Sequence, residues 1–121
     1  MEILTEADFT AHANPAGSSC PLISLSNAAG PRVSITRITI EPGRAQERHT
    51  HAAAEQIWIA LDGHGLLLLA GGATRAFKAG EVARFADGEV HGFENTGGAP
   101  FVYLSITAPP LSRGEQERTR A

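Results

Sequence analysis

Glycine and proline interrupt this chain too often for a long regular element to form. Thirteen glycines and seven prolines are spread through 121 residues. Between them lie short runs rich in Ile, Val, Leu, Thr and aromatic side chains: PLISLS (21–26), RVSITRITI (32–40), QIWIAL (56–61), LLLLA (66–70), TRAFK (74–78), VARFA (82–86), VHGFEN (90–95) and FVYLSIT (101–107). The joints Glu41-Pro42-Gly43, Asp62-Gly63, Gly71-Gly72, Ala79-Gly80, Asp87-Gly88 and Gly97-Gly98 carry turn chemistry. β-Branched and aromatic residues suit a pleated, half-buried surface. The pattern therefore predicts an all-β chain of many short strands, a sandwich or a barrel. No stretch sustains a helical apolar period, and only LTEADFTA (4–11) leaves room for a short helix.

The length suits one domain over residues 1–121, with a core at about 32–107, an N-terminal arm at 1–31 and a partly disordered tail at 108–121. Within that tail, SRGEQERTRA (112–121) mixes charge signs and reads as a frayed, solvated end. A net charge of −3 with no basic stripe argues against nucleic-acid binding. Cys20 is the single cysteine, so an intrachain disulfide is impossible and a reducing compartment fits. The opening MEILTEADFT has early acids and no long apolar stretch, unlike a secretory signal. GLLLLAGG (65–72) is far too short to span a bilayer. The expected location is the cytoplasm, with no membrane contact.

Side-chain parity adds a second layer of inference. In QIWIAL, Ile57, Ile59 and Leu61 share one face, while Gln56, Trp58 and Ala60 share the other. In FVYLSIT, Val102, Leu104 and Ile106 oppose Phe101, Tyr103, Ser105 and Thr107. Neither strand has a solvated face. That suits a mixed-polarity interior and an aliphatic exterior covered by a second layer or by the partner of a homodimer.

His49 and His51 stand at i and i+2, a spacing that on a strand sends both imidazoles to one face about 7 Å apart. His91 follows the Asp87-Gly88 turn. After His51 come Glu55 and Gln56, which as neighbours on a strand face opposite ways. With Gln56 inward, Trp58 follows it and the aliphatics pack outward. With Glu55 inward, three aliphatics would line the interior and Trp58 would face out. Parity favours Gln56, with Glu55 as the alternative.

These segments resemble the cupin superfamily, whose first motif is G-x5-H-x-H-x(3,4)-E-x6-G and whose second is G-x5-P-x-G-x2-H-x3-N. Here Gly43, His49, His51, Gln56 and Gly63 stand at the first motif's spacings, and Gly80, Ala86, Gly88, His91 and Asn95 at the second's. Ala86 replaces the usual proline, and Gln56 replaces the usual acid. The resemblance covers roughly residues 32–107 and implies a cupin antiparallel β-barrel (a double-stranded β-helix or jelly roll). It also implies one divalent metal ion per chain, held by His49, His51, Gln56 and His91. Three neutral imidazoles and an amide oxygen leave such an ion its full charge, favouring Lewis-acid chemistry. Zn, Ni, Fe and Mn all tolerate these donors. The uronate-ketonising cupins of pectin and alginate breakdown are similar in pairing three histidines with a glutamine. They carry an Asp on the last strand, whereas Ser105-Ile106-Thr107-Ala108-Pro109 contains no acid.

The remaining expectations concern the cavity. Trp58 and Phe93 are candidate walls for a small-molecule ligand, with Ser105 as an inner polar group. Tyr103 is the candidate catalytic proton donor or substrate clamp. Arg37, if turned inward, would hold a carboxylate. Asn95 is expected to bond backbone in the last turn. The leading functional expectation is an enzyme of isomerase, cyclase or lyase type acting on a small oxygenated substrate. An Fe(II)-dependent dioxygenase and a non-catalytic small-molecule or sugar binder are the alternatives.

Overall fold

Ten strands in two antiparallel sheets make up the computed structural model, which describes residues 1–111. The strands are β1 (His12–Asn14), β2 (Gly17–Ile23), β3 (Ser34–Ile40), β4 (Ala45–His49), β5 (Glu55–Asp62), β6 (His64–Leu69), β7 (Thr74–Lys78), β8 (Val82–Phe85), β9 (His91–Glu94) and β10 (Phe101–Ala108). One sheet runs β1-β2-β3-β10-β5-β8 and the other β4-β9-β6-β7. The all-β layout is the one expected from the strand pattern, and its two sheets fit the double-stranded β-helix that the cupin resemblance implies. Among the described residues no helix is long and apolar enough to cross a membrane.

Alternation in β5 and β10 decides what fills the interior. Gln56, Trp58 and Ala60 are buried, as are Phe101, Tyr103, Ser105 and Thr107. Between them Ile57, Ile59, Val102, Leu104 and Ile106 lie half-buried on the outer face. The second sheet adds Leu67, Phe77 and Phe93 to a core that also contains Ile40, Trp58, Phe85, Phe101 and Tyr103. Polarity is graded along this interior. Phe93 stacks on Phe101 with ring centroids 4.0 Å apart at the aromatic end, whereas Ser105, Thr107, Gln56 and His91 gather at the other.

Two strands lie outside the runs legible in the sequence. β4, AQERH, has no apolar alternation and buries little of its length, so it gives no hydrophobic signal. β1 is a three-residue arm of a hairpin with β2. Asn14 Oδ1 closes that hairpin by accepting the N–H groups of Ala16 (2.9 Å) and Gly17 (3.0 Å). The stretch expected to be an arm, 1–31, thus contains two strands, and β2 is hydrogen-bonded along β3. The possible helix at 4–11 is one 3-10 turn, Glu6–Asp8, with the Asp8 carboxylate accepting the Thr5 N–H at 2.8 Å. Of the expected tail, Ala108 ends β10, and 112–121 lie outside the described residues.

Close backbone approach fixes several glycines, Gly65 among them. A Cβ at Gly65, in β6, would lie 2.3 Å from the Glu94 carbonyl oxygen and 2.4 Å from the Phe93 ring. Gly98 has nothing within 4 Å. Gly65→Ala should therefore destabilise the fold by about 3 kcal/mol through overpacking, and Gly98→Ala by no more than about 0.5 kcal/mol. Urea denaturation of the two variants checks the contrast.

Candidate metal centre

His49 ends β4 and sits directly across from His91 in β9. The β4–β9 register shifts between Gln46 and His49, and His51 lies beyond the strand. Its backbone is held from the far side, where the Gly88 N–H donates to the His51 carbonyl at 2.8 Å. Strand parity alone therefore does not bring the pair together. The strand end and the Asp87-Gly88 turn do so, placing ring centroids 5.0 Å (His49–His51), 4.3 Å (His49–His91) and 5.3 Å (His51–His91) apart. One nitrogen from each ring lies within 4.8 Å of the other two.

The ring orientations follow from the backbone. His49 Nδ1 is 2.9 Å from the Glu47 carbonyl oxygen, and His91 Nδ1 is 2.9 Å from that of Glu89. A carbonyl only accepts, so each Nδ1 carries the proton and each Nε2 keeps its lone pair. His51 and His91 are buried, while His49 remains partly exposed as a residue. Burial, together with neighbouring His49, pushes the pKa of His51 down from 6.5 to about 4. The same causes, and His51 more weakly, take His91 down to about 4 against the opposing pull of the Glu89 carbonyl. Both rings are neutral near pH 7.

Gln56 points into this cluster. Its Nε2 donates to Thr107 Oγ1 at 2.9 Å, and its Oε1 accepts the Trp58 indole N–H at 3.2 Å. The same oxygen lies 3.0 Å from His91 Nε2. With His91 neutral and protonated at Nδ1, two lone pairs face each other at hydrogen-bond distance. A shared cation reconciles them, so these donors fit a divalent ion. Glu55 faces the opposite way and pairs with Arg84.

Around the histidines the walls are aromatic. Phe85 stacks on His91 with centroids 4.6 Å apart and planes at 15°. Trp58 packs edge-on to His91 at 5.3 Å and against Tyr103 at 4.7 Å. Phe85 was not singled out from the sequence, although its parity with Ala83 and its register opposite Gln56 place it there. Ser105 is buried across from Trp58.

Three other expected site residues lie elsewhere. Tyr103 is fully buried behind Trp58, its hydroxyl donates to Gln46 Oε1, and burial drives its pKa well above the usual phenol value. Phe93 belongs to the aromatic end of the core. Arg37 faces outward because Ile38 and Ile40 take the inner positions of β3. There it forms a two-pronged pair with Glu6 at 2.9 and 3.1 Å and meets the Cys20 sulfur at 3.8 Å. It brings no positive charge to the interior. Asn95 is buried and bonds only backbone, reaching the Ile40 and Ala99 carbonyls (2.9 Å each) and the Gly97 N–H (2.9 Å).

No curated protein matches the sequence. Among solved structures, the polyketide cyclase RemF from Streptomyces resistomycificus is 24% identical, with a TM-score of 0.75 over 97% of this chain and 91% of its own. A predicted oxalate decarboxylase from Thermotoga maritima is 23% identical, with a TM-score of 0.76 over 89% of this chain and 99% of that one. KdgF from a Halomonas species is 15% identical, with a TM-score of 0.74 and coverages of 91% and 96%. At such identities the likeness concerns the fold. The Cupin domain family matches residues 36–107, a span that takes in β4, β9 and all three histidines and exceeds half the sequence, and the chain belongs to that family.

Proposed function

We propose that His49, His51, Gln56 and His91 bind one divalent metal ion per chain, and that the protein is an enzyme acting on a small oxygenated molecule by isomerase, cyclase or lyase chemistry. The observation that carries this reading is the meeting of His91 Nε2 with Gln56 Oε1 at 3.0 Å, beside two further imidazoles whose nitrogens lie within 4.8 Å. An ion held there polarises a bound carbonyl, carboxylate or water. The surrounding residues support such work. Trp58 and Phe85 exclude water and lower the local dielectric, which strengthens electrostatic stabilisation. The inward residues of β5, β9 and β10 include no acid, so proton transfer falls to substrate, to water or to the Ser105 and Thr107 hydroxyls. Tyr103 stays in the proposal as a residue that orients Trp58 from behind.

The names of the similar proteins suggest where a substrate screen begins: a cyclase and a decarboxylase. Elemental analysis of untagged protein tests the metal. Near one zinc, nickel or manganese per chain supports the Lewis-acid reading, whereas preferential iron with oxygen uptake would replace it by the dioxygenase. No retained metal under anaerobic reconstitution would leave a small-molecule-binding cupin. Gln56→Ala should weaken metal affinity on the order of tenfold, and Glu55→Ala should leave it within about twofold because Glu55 faces Arg84. Competitive titration with a chromogenic chelator measures both.

The lowered histidine pKa values also set a pH dependence for chelator-treated protein. Above pH 6.5 His51 and His91 are neutral in folded and unfolded chains alike. As pH falls from 6.5 towards 4, the unfolded chain takes up protons that the folded one refuses. Stability should therefore be full above 6.5 and fall through that window, by up to about 1.4 kcal/mol per pH unit for each histidine. Thermal melts between pH 4 and 7 should show it, with a flatter profile for His51→Ala/His91→Ala.

We further propose a cytoplasmic homodimer. The outer face of β5 and β10 presents half-buried Ile57, Ile59, Val102, Leu104 and Ile106 beside exposed Leu61 and Val82, a contiguous apolar face of the kind that subunit contacts cover. Leu104→Glu should convert a dimer to a monomer in sedimentation analysis; a monomeric parent would refute the pairing.

A further inference from the structure

An amide ligand has a weakness that a carboxylate lacks. Turned over by 180°, it offers NH2 where a cation needs oxygen. In this site His91 itself works towards the wrong orientation. Its Nδ1 donates to the Glu89 carbonyl at 2.9 Å, so Nε2 is an acceptor, 3.0 Å from the Gln56 amide, and would be better served by NH2. Thr107 does not choose between the orientations, because a hydroxyl donates or accepts as required. The indole of Trp58 does choose. Its Nε1–H can only donate, and it lies 3.2 Å from Gln56 Oε1. An overturned amide would set two donors against each other there.

We propose that Trp58 is a positioning residue that holds Gln56 oxygen-inward before any ion arrives, with Thr107 accepting the N–H turned away. The inference rests on Gln56 being a metal ligand. Its geometry is fixed on both sides. Gln56 and Trp58 stand two residues apart on the inner face of β5, so one strand presents both. Trp58 is wholly buried, with its ring against Phe85 at 5.0 Å, Tyr103 at 4.7 Å and His91 at 5.3 Å, and has no room to swing away. The amide is thereby prepared for its task by a hydrogen bond that does not depend on the ion, a form of preorganisation.

A double-mutant cycle in metal affinity tests it. Zn²⁺ and Co²⁺ are titrated against the parent, Trp58→Phe, Gln56→Glu and the double variant, with the Co²⁺ visible spectrum reporting the donor set. Trp58→Phe should weaken binding about tenfold where residue 56 is Gln. In the Gln56→Glu background it should cost less than about twofold, since a carboxylate has no wrong side. An equal loss in both backgrounds would mean that Trp58 only packs, and would overturn the proposal while leaving the ligand assignment intact. A parent that binds neither metal would overturn both. One measurement needs no variant. In chelator-treated parent protein, the Gln56 side-chain NH2 protons should show stronger nuclear Overhauser contacts to Thr107 than to the His91 ring. The reverse ranking of intensities would refute the orienting role.

Discussion

The antiparallel pairing of β5 with β10 is the constraint on which the rest of the structure depends. It sets Gln56 against Thr107, Trp58 against Ser105 and Tyr103 against Ala60, and so decides which side chains share the interior. Side chains alternate along a strand, so a slip of one residue would exchange the faces. Glu55 would enter the cluster, Trp58 would meet solvent, and Ile57 and Ile59 would replace the polar groups beside His91. Burying Trp58 and Ala60 together with Phe101 and Tyr103 opposes that slip. The register that satisfies the hydrophobic core is also the register that aims Gln56.

The histidines depend on a different kind of restraint. β4 carries little apolar surface and is held by its ladder to β9, by the Tyr103 hydroxyl on Gln46, and by the Gly43 and Asn95 backbone groups, which bond to Asn95 and Arg44 respectively. Asn95, buried and tied to the Ile40 and Ala99 carbonyls, fixes the turn from which β9 departs. Polar contacts thus locate the strand that bears His49, while apolar packing locates the strand that bears Gln56. The candidate centre lies where the two systems meet, at the polar end of a graded interior. Its neutrality follows from that location, because unpaired charge in an aromatic enclosure would be costly.

Much of this was legible without coordinates. Seven of the ten strands coincide with the short apolar runs, whereas β2 shares only 21–23 with PLISLS, whose last three residues leave the strand. The parity of QIWIAL and FVYLSIT agrees with the observed burial. β4 was hidden because AQERH buries too little to alternate, and β1 because three residues are too few for any period. Arg37 was open to either reading, yet Ile38 and Ile40 in the same strand already favour its outward position. Phe85 could have been found from the same parity reasoning, as the inward partner of Ala83.

The sequence by itself determined the class of fold, the two faces of the central strands and the set of residues from which a metal site could be drawn. The first two follow from local chemistry, namely turn residues, β-branched runs and a period of two; the third follows from the resemblance of the His49, His51, Gln56 and His91 spacings to the cupin motifs. Only the tertiary structure decided that His51, past the end of its strand, still reaches His49 and His91, that Tyr103 is spent on Gln46, and that Trp58 meets the oxygen of Gln56. Each of these depends on contacts between residues distant in the chain, at a precision of about one ångström, and no local pattern carries that information.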